Sequence, residues 1–385
     1  MRREVSLVKH ADKTIGATIQ NLRKQHGLSQ KQLAVRLGVK HAQVISALES
    51  GERALKATEL ARLAGILRVQ PSAILAAQAR QTAPKVLWRG EDNLTARSDE
   101  EALFVARCKR YAFLEEVGGG RKRAAVPAFA LDLETTRFED VECWAETVCG
   151  GLRLGATPAL SLRDALETEW GIKVFFTPLL GGSAATVRAE FGDAIMISAN
   201  EPPWRRHYSL AHELFHLLTW GALLESVSSL TATQRKRNET LAEVFASALL
   251  LPAEAIEARL PRLREGEQRW FGLFALAREF GVSTKALLWR LVNLGLIPAT
   301  MAEEFNSNAR LAVLDQSLRD WGKEPGSQLP ARFVYLAFGA YVQQKISIGK
   351  LAELMETTVG LLPRELAAFD LDLNSDAYQA TFVPA

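Results

Sequence analysis

Residues 205–219 read RRHYSLAHELFHLLT, and this stretch decides how the rest of the chain is interpreted. Three of the six histidines lie within ten residues here, and His212 and His216 are four positions apart. Side chains at that spacing share one face of a helix, with their β-carbons about 5–6 Å apart. The stretch therefore predicts a helix with a polar, reactive front. Its apolar back would be formed by Leu210, Leu214, Leu217 and Leu218.

The two histidines and the glutamate between them match a metal-binding pattern. Imidazoles on one helical face can both bind a single Zn²⁺ ion at about 2.0–2.1 Å. Glu213 is turned by about 100° from His212, so its carboxylate misses the metal and can reach a metal-bound water. This His-Glu-x-x-His arrangement is typical of zinc metallopeptidases and predicts Glu213 as the catalytic base. The alternative is that both histidines are core residues held by hydrogen bonds.

A catalytic zinc site needs a third protein ligand and an open position. Residues 238–252, NETLAEVFASALLLP, have helical spacing, and Glu239 and Glu243 lie on the same face. Two carboxylates on one face of an otherwise apolar helix are costly unless they are paired or bind metal. We therefore predict Glu239 as the third ligand. Glu243 would accept a hydrogen bond from the far nitrogen of a ligating histidine. The alternative is a solvated, charged helix face.

The N-terminal part differs in charge from the rest of the chain. Residues 1–80 hold 14 lysines and arginines against 5 aspartates and glutamates, whereas the remaining residues hold 33 against 39. Within this basic part, residues 28–53 read LSQKQLAVRLGVKHAQVISALESGER and predict a helix-turn-helix. Ser29 and Gln32 would form a capping box, and Gly38 would end the first helix with a positive φ. Val39, Val44 and Leu48 would form the inward face of the second helix.

In a helix-turn-helix, the second helix enters the major groove of DNA. A basic module also favours phosphate contacts. The sequence therefore predicts double-stranded DNA as a partner. The alternative is a small helical bundle that binds protein. The predicted DNA-contacting residues are Gln30, Lys40, His41, Gln43 and Ser46.

Both regions resemble known families. The motifs Ser29-Gln30, Leu33-Ala34, Leu37-Gly38-Val39 and SALESG (46–51) resemble the XRE family of DNA-binding domains. The stretch HYSLAHELFHLL followed by ETLAEVFASALLLP resembles the ImmA/IrrE family of metallopeptidases. Two positions depart from the latter pattern: Phe215 stands where the family usually has Gly, and Glu243 where it usually has Asn.

The resemblances imply an α+β chain. An all-α lambda-repressor-like helix-turn-helix domain would be followed by a mostly helical zincin-like peptidase domain with a small β-sheet, and then by a helical C-terminal region. The expected β-strands are residues 173–180, 185–191 and 193–200, with Gly181-Gly182 and Gly192 as hairpin turns. The expected segments are the DNA-binding domain (1–80), a helical linker region (81–150), the peptidase domain (151–298) and a helical C-terminal domain (299–385).

Two functions from different classes remain open. In the first, which the resemblance implies, the chain cleaves a partner XRE-type repressor at a specific site in a stress or mobile-element response. In the second, it is a transcriptional regulator whose peptidase-like domain is a sensor or dimerisation body with little turnover. One half of a toxin–antitoxin pair is a third alternative. No apolar run of 18 or more residues is present, so we expect no membrane partner. The three cysteines form no Cys-x-x-Cys pair, so we expect a cytoplasmic, reducing environment. XRE modules usually bind two half-sites as dimers, so a homodimer is expected.

Overall fold

The computed structural model describes residues 15–39, 41–67, 69, 71, 74, 84–89, 94–120, 123–221, 230–260, 268–318 and 329–373. The chain divides into two compact units, Met1–Pro84 and Lys85–Ala385. Among the helices within these described ranges, none is long and apolar enough to cross a membrane.

The described part of the first unit is helical. Its helices are α1 (residues 15–25), α2 (Gln30–Leu37), α3 (Ala42–Glu49) and α4 (Ala57–Ile66). The predicted capping box is present, because the Gln32 amide donates to Ser29 Oγ and the Ser29 amide donates to Gln32 Oε1. Gly38 ends α2 with φ 82°. In α3 the predicted inward residue Leu48 is buried, whereas Val44 is only partly buried and Ile45 takes the place predicted for it.

A buried ion pair joins α1 to α3. The Arg23 guanidinium donates to both Glu49 carboxylate oxygens, at 2.6 and 3.0 Å, and Gln30 Nε2 donates to Glu49 Oε2 at 2.9 Å. Close approach of the two helices needs a glycine at position 16. A β-carbon there would lie 2.4 Å from the carbonyl oxygens of Leu48 and Glu49.

The second unit is built on a four-stranded mixed sheet in the order β1-β3-β4-β2. Its strands are β1 (Val86–Arg89), β2 (Lys173–Thr177), β3 (Ala184–Ala189) and β4 (Gly192–Ser198). β3 pairs antiparallel with both β1 and β4, and β2 pairs parallel with β4. The sheet therefore has β1 at one edge and β2 at the other.

Helices cover both faces of this sheet. The alternation along the strands shows it: Val174, Ile195 and Ile197 point into one core, whereas Phe175 and Met196 point into the other. A sheet buried on both sides explains why its strands read as continuous apolar runs.

The helices fall into two groups, one for each core. Those that contribute residues to the core containing Ile195 are α6 (Phe138–Gly151), α7 (Pro158–Ala165), a π-helical turn (Leu166–Trp170), α8 (Pro203–Leu218), α9 (Ala232–Leu250), α10 (Ala253–Glu257), α11 (Gln268–Glu279), α12 (Thr284–Asn293) and α13 (Ala299–Ser307). α14 (Ala309–Ser317) packs at the margin of this core. The opposite core is formed by α5 (Leu94–Val117), α15 (Ala331–Val342), α16 (Ile348–Leu354) and α17 (Leu362–Ala367).

The structure corrects two expectations about the sheet. Residues 86–89, within the expected linker region, form the edge strand β1. Residues 173–177 and 184–189 are not neighbours across a Gly181-Gly182 hairpin, because β4 lies between them. The β3–β4 hairpin does form, with Gly192 at φ 94°. Residues from 81–150 supply strand β1, and residues from 299–385 pack on the same sheet as residues from 151–298. We therefore propose that these segments fold together as one body.

Loss of the Glu49 charge should destabilise the first unit. In Glu49→Gln, Arg23 stays buried without its carboxylate, and breaking such a pair costs about 3–5 kcal/mol. All eight tryptophans lie at residue 88 or beyond. Urea unfolding of the full chain should therefore show an earlier transition by circular dichroism but not by tryptophan fluorescence.

The matched control is Glu52→Gln, because Glu52 is exposed. Burial raises the pKa of Glu49, but the bonds from Arg23 and Gln30 lower it below its usual value. A lowered folded pKa stabilises above the unfolded pKa, and this stability is lost as the pH falls through the folded pKa. The difference between Glu49→Gln and wild type should shrink in acid, and equal effects of the two variants at neutral pH would refute this role.

Candidate functional site

Helix α8 carries the histidine motif on a buried face of the second unit. It begins at Pro203, which is favourable in a first turn because proline lacks the amide proton that would be unpaired there. The predicted apolar back is confirmed, since Leu210, Leu214, Leu217 and Leu218 are all buried. His212, Glu213 and His216 are buried as well. Polar side chains in such a place need partners, because an unpaired buried polar group costs about 1–3 kcal/mol.

The structure brings together the three predicted metal ligands. His212 Nε2 lies 3.1 Å from Glu239 Oε2 and 3.2 Å from His216 Nε2, and His216 Nε2 lies 3.5 Å from Glu239 Oε1. Around a tetrahedral ion with bonds of about 2.0–2.1 Å, ligand atoms lie roughly 3.3 Å apart. The separations between the three ligand atoms are thus close to those between three corners of a tetrahedral metal site.

The protonation of these ligands suits a cation. Burial, followed by the neighbouring His212, lowers the pKa of His216 to about 3, so its ring is neutral at neutral pH. Burial raises the pKa of Glu239, but the hydrogen bond with His212 and the nearby positive groups bring it down to about 2. Two nitrogen lone pairs and a carboxylate converging at this distance repel one another unless a proton or a metal ion lies between them. The donor set therefore fits a divalent metal ion.

Asn238, which was not among the predicted site residues, lies beside the far nitrogen of His216. Its Nδ2 is 3.4 Å from His216 Nδ1, and its Oδ1 has no hydrogen-bond partner among the described residues. A half-turn of the amide exchanges the two atoms. Oδ1 would then accept from Nδ1–H, which leaves the His216 Nε2 lone pair free for a metal. The sequence indicated Asn238 only by its position, immediately before the predicted ligand Glu239.

Glu243 does not occupy the place predicted for it. It lies on the exposed side of α9, one turn beyond Glu239, and its carboxylate bonds neither histidine in the described part of the chain. Its backbone oxygen accepts a hydrogen bond from the Tyr208 hydroxyl at 3.2 Å. The spacing of four residues places Glu243 on the correct face but too far along the helix axis, since one turn advances about 5.4 Å.

The catalytic candidate Glu213 faces the sheet. Thr186, which is fully buried on β3, donates its hydroxyl to Glu213 Oε2 at 2.7 Å. Glu213 Oε1 has no hydrogen-bond partner among the described residues. Burial raises the pKa of Glu213, whereas the charge of His212 and the Thr186 bond act in the opposite direction. One oxygen is therefore fixed and the other is available for proton transfer.

Phe215 belongs to the core, and its ring packs edge-on against the His216 ring, with 5.6 Å between the ring centroids. Its ring lies 5.7 Å from Phe245 of α9 and 6.5 Å from Trp144 of α6, measured between ring centroids. It thus fills the space between α8 and its two neighbouring helices.

The site opens into a cavity of about 440 Å³, which we call the cleft cavity. Glu213, His216 and Glu239 line it together with all four residues of β1. Arg89, the last residue of β1, adds a positive charge that lowers the pKa of Glu239 after the histidines do so. Because β1 has only four residues, its sequence gives no periodic signal, and Arg89 was not predicted.

The predicted DNA-contacting residues are distributed unevenly. Gln43 and Ser46 are exposed on α3, and His41 is exposed at its N-cap. Gln30 instead directs its amide at Glu49 and so supports the fold. Lys40 lies outside the described residues.

Two family models match the chain. Residues 167–292 match the peptidase family described as the IrrE N-terminal-like domain, and residues 19–74 match a helix-turn-helix family. The chain therefore carries an XRE-type helix-turn-helix domain fused to an IrrE/ImmA-like domain. His212, Glu213, His216 and Glu239 all lie within the second match.

Other comparisons add little. No curated protein matches this sequence. Among solved structures, a Mycobacterium tuberculosis transcriptional regulator is similar, with a TM-score of 0.30 and 21% identity. The match covers 40% of this chain and 46% of that chain, so it spans less than half of that structure.

Metal content should depend on the three converging side chains. We expect one divalent metal ion per chain by elemental analysis of protein purified without chelator, and its loss in His212→Ala and Glu239→Ala. Asn238→Ala should weaken metal affinity about 10–100-fold, because partners of ligating histidines have effects of that size.

Glu243→Gln and His26→Ala serve as controls. His26 is an exposed histidine of the first unit, and Glu243 bonds neither ligand, so both variants should retain the metal. Metal loss in Glu243→Gln would restore the role predicted from the sequence, and full metal content in Glu239→Ala would place the third ligand elsewhere.

Sequence preference in DNA binding should depend on α3. In Gln43→Ala/Ser46→Ala, the motif enriched by the full chain from a random double-stranded library should weaken or vanish, since each good base contact is worth about 1–3 kcal/mol. Affinity for unselected DNA and its salt dependence should change little, because those come from phosphate contacts. Thr58→Ala, at an exposed position of α4, is the control. An unchanged motif in the double variant would move the base-reading surface away from α3.

Proposed function

We propose that this chain is a DNA-binding zinc metallopeptidase. The observation that carries the proposal is the convergence of His212, His216 and Glu239 within 3.5 Å of one another, directly beside the buried carboxylate of Glu213. Two imidazoles and one carboxylate are a ligand set typical of catalytic zinc, which keeps its fourth position open. The exposed side of Glu239 and the cleft cavity give that position access to substrate.

When bound, zinc would polarise the scissile carbonyl and acidify a water molecule. The remaining chemistry belongs to Glu213. Its Oε1 takes the proton from the attacking water and later delivers that proton to the leaving amine. Burial raises the pKa of this carboxyl and thus makes it a better base near neutral pH. The Thr186 hydroxyl donates to Oε2 and so orients the carboxylate.

Arg89 supplies a positive charge in the lining of the cleft cavity. A guanidinium there can hold a substrate carbonyl and stabilise negative charge as it develops on oxygen. Its place on β1 is set by pairing with Ala184 of β3, so the sheet positions both Arg89 and Thr186 relative to α8.

The proposed substrate is a partner repressor of the XRE type, cleaved at a specific site in a stress or mobile-element response. The fused helix-turn-helix supports this choice. Binding to the same stretch of DNA turns an encounter in solution into one at high effective concentration, without any new contact between the proteins. A homodimer on two half-sites is part of the proposal.

The alternative is a regulator whose peptidase-like domain has little turnover. It drew support from Phe215 and Glu243, the two departures from the family pattern. Phe215 packs in the core, and the Glu243 carboxylate bonds neither histidine, so neither departure alters the ligand set. This favours a working peptidase over a vestigial one.

Replacement of Glu213 separates the two functions. XRE-type regulators encoded by the same genome are purified, incubated with the zinc-loaded chain, and analysed for new termini by mass spectrometry. We expect one regulator to be cut at one site. Glu213→Gln should slow the cut at least about 100-fold, the scale of a lost general base, while zinc content and melting temperature stay unchanged.

Glu257→Gln makes the same chemical change at an exposed position and should cleave at the wild-type rate. Cleavage by Glu213→Gln at that rate would show that another group is the base. If no regulator is cut although zinc is bound, and DNA binding alone reproduces the regulation, the low-turnover alternative is correct.

A further inference from the structure

A second cavity of about 510 Å³ lies next to the cleft cavity in the second unit. We call it the tryptophan cavity. Its lining comes from β1, α8, α9 and α12, and the first three of these elements also line the cleft cavity. The residues used below are Arg89, Trp204, Tyr208, Lys285, Ala286 and Trp289.

The position of the tryptophan cavity relates it to the reaction. Tyr208 lies four residues before His212, and Glu243, also in its wall, lies four residues after Glu239. Four residues of a helix span about 6 Å. An extended peptide advances about 3.3 Å per residue. A peptide bound at the ligand group would therefore place a side chain in this cavity one or two residues from the cleaved bond. Arg89 lines both cavities, so the two are adjacent.

Three aromatic side chains line the tryptophan cavity. Trp289 is 38% exposed, a large apolar side chain left open on α12, and it forms part of the wall with Trp204 and Tyr208. The Tyr208 hydroxyl is already engaged by the Glu243 backbone oxygen, so the tyrosine offers mainly its ring. Aromatic walls favour an aromatic or large aliphatic guest, since ring pairs add about 0.5–1.5 kcal/mol beyond the burial of area.

The charges at the rim favour an acidic neighbour for that guest. Four ionised side chains line the cavity: Arg89, Arg205, Lys285 and Glu243. Arg205 is paired with Glu201 at 3.0 Å. Lys285 is exposed and has no ion-pair partner among the described residues. The positive charges of Arg89 and Lys285 thus outnumber the single carboxylate of Glu243.

We propose that the tryptophan cavity is the specificity pocket of this peptidase. It receives a large apolar side chain, with aromatic residues preferred, from a segment of the protein substrate that also carries an acidic residue nearby. The volume suits one such side chain with its flanking backbone, because ligand pockets of about 300–1,000 Å³ enclose groups of this size and larger. This inference rests on the proposed peptidase function and names the chemistry of its substrate.

Binding of small hydroxamates tests the pocket without requiring turnover, because a hydroxamate group binds zinc directly. The probes are the hydroxamates of N-acetyl-Gly-Gly, N-acetyl-Trp-Gly and N-acetyl-Gly-Trp, titrated calorimetrically into the zinc-loaded full chain. One of the two tryptophan probes should bind about 10–100-fold more tightly than the Gly-Gly probe, as expected for burial of a large apolar side chain.

Two variants of the cavity should remove this preference. Trp289→Ala takes away an aromatic wall, and Ala286→Phe fills the space from a residue in the lining. Both should leave Gly-Gly hydroxamate binding within about twofold of wild type. Phe271→Ala removes an exposed aromatic ring outside the cavity, and it should keep the full preference. Melting curves identify any variant that fails to fold, and the other variant then decides.

The outcomes separate this inference from the proposed function. Equal binding of all three probes, or a preference unchanged in a folded cavity variant, overturns the specificity pocket while the zinc site stands. If no hydroxamate binds, with or without added zinc, the peptidase proposal is overturned and this inference falls with it.

Discussion

The second unit is organised around one constraint: three ionisable side chains are buried within five residues of one helix. Transfer of such groups from water costs several kcal/mol for each ion that remains charged. His216 meets the constraint by staying neutral, with a pKa of about 3. Glu213 accepts a hydrogen bond from the Thr186 hydroxyl, and His212 is paired with the Glu239 carboxylate. A bound cation would offset the remaining repulsion among the ligand atoms, so metal binding would also stabilise this core.

The sheet and the two layers of helices follow from that constraint. Thr186 reaches Glu213 only because β3 lies under α8, and β3 is held in register by β1 on one side and β4 on the other. Helices α5 and α15–α17 pack on the opposite face of the sheet and hold it in place. A hydroxyl that must stay 2.7 Å from a carboxylate needs such a rigid support, because a displacement of about 1 Å can cost a hundredfold in rate.

The sequence predicted those parts of the site that local spacing determines. His212, Glu213 and His216 are set by the helical repeat alone, and Ser29 and Gly38 by cap chemistry. What it missed depends on contacts between distant segments. The parallel pairing of β2 with β4 and the insertion of β1 have no local signature, since a four-residue strand shows little periodicity. Glu243 was predicted because it lies one turn from Glu239 along α9, whereas Asn238 is identified only by its proximity to His216 of α8, a contact between helices that spacing within α9 does not show.

Arg89 shows why the segment before α5 matters for chemistry as well as for the sheet. Its guanidinium lines the cleft cavity and the tryptophan cavity, so one charge acts on the carboxylates of the reaction and on the rim of the proposed specificity pocket. At an effective dielectric constant of about 20, two unit charges 4 Å apart interact by about 4 kcal/mol. A substrate carboxylate drawn toward Arg89 would partly neutralise that charge and would raise the basicity of Glu213, whose pKa the arginine otherwise lowers. Under the proposed function, recognition of an acidic substrate and activation of the base would therefore be coupled through a single residue of β1.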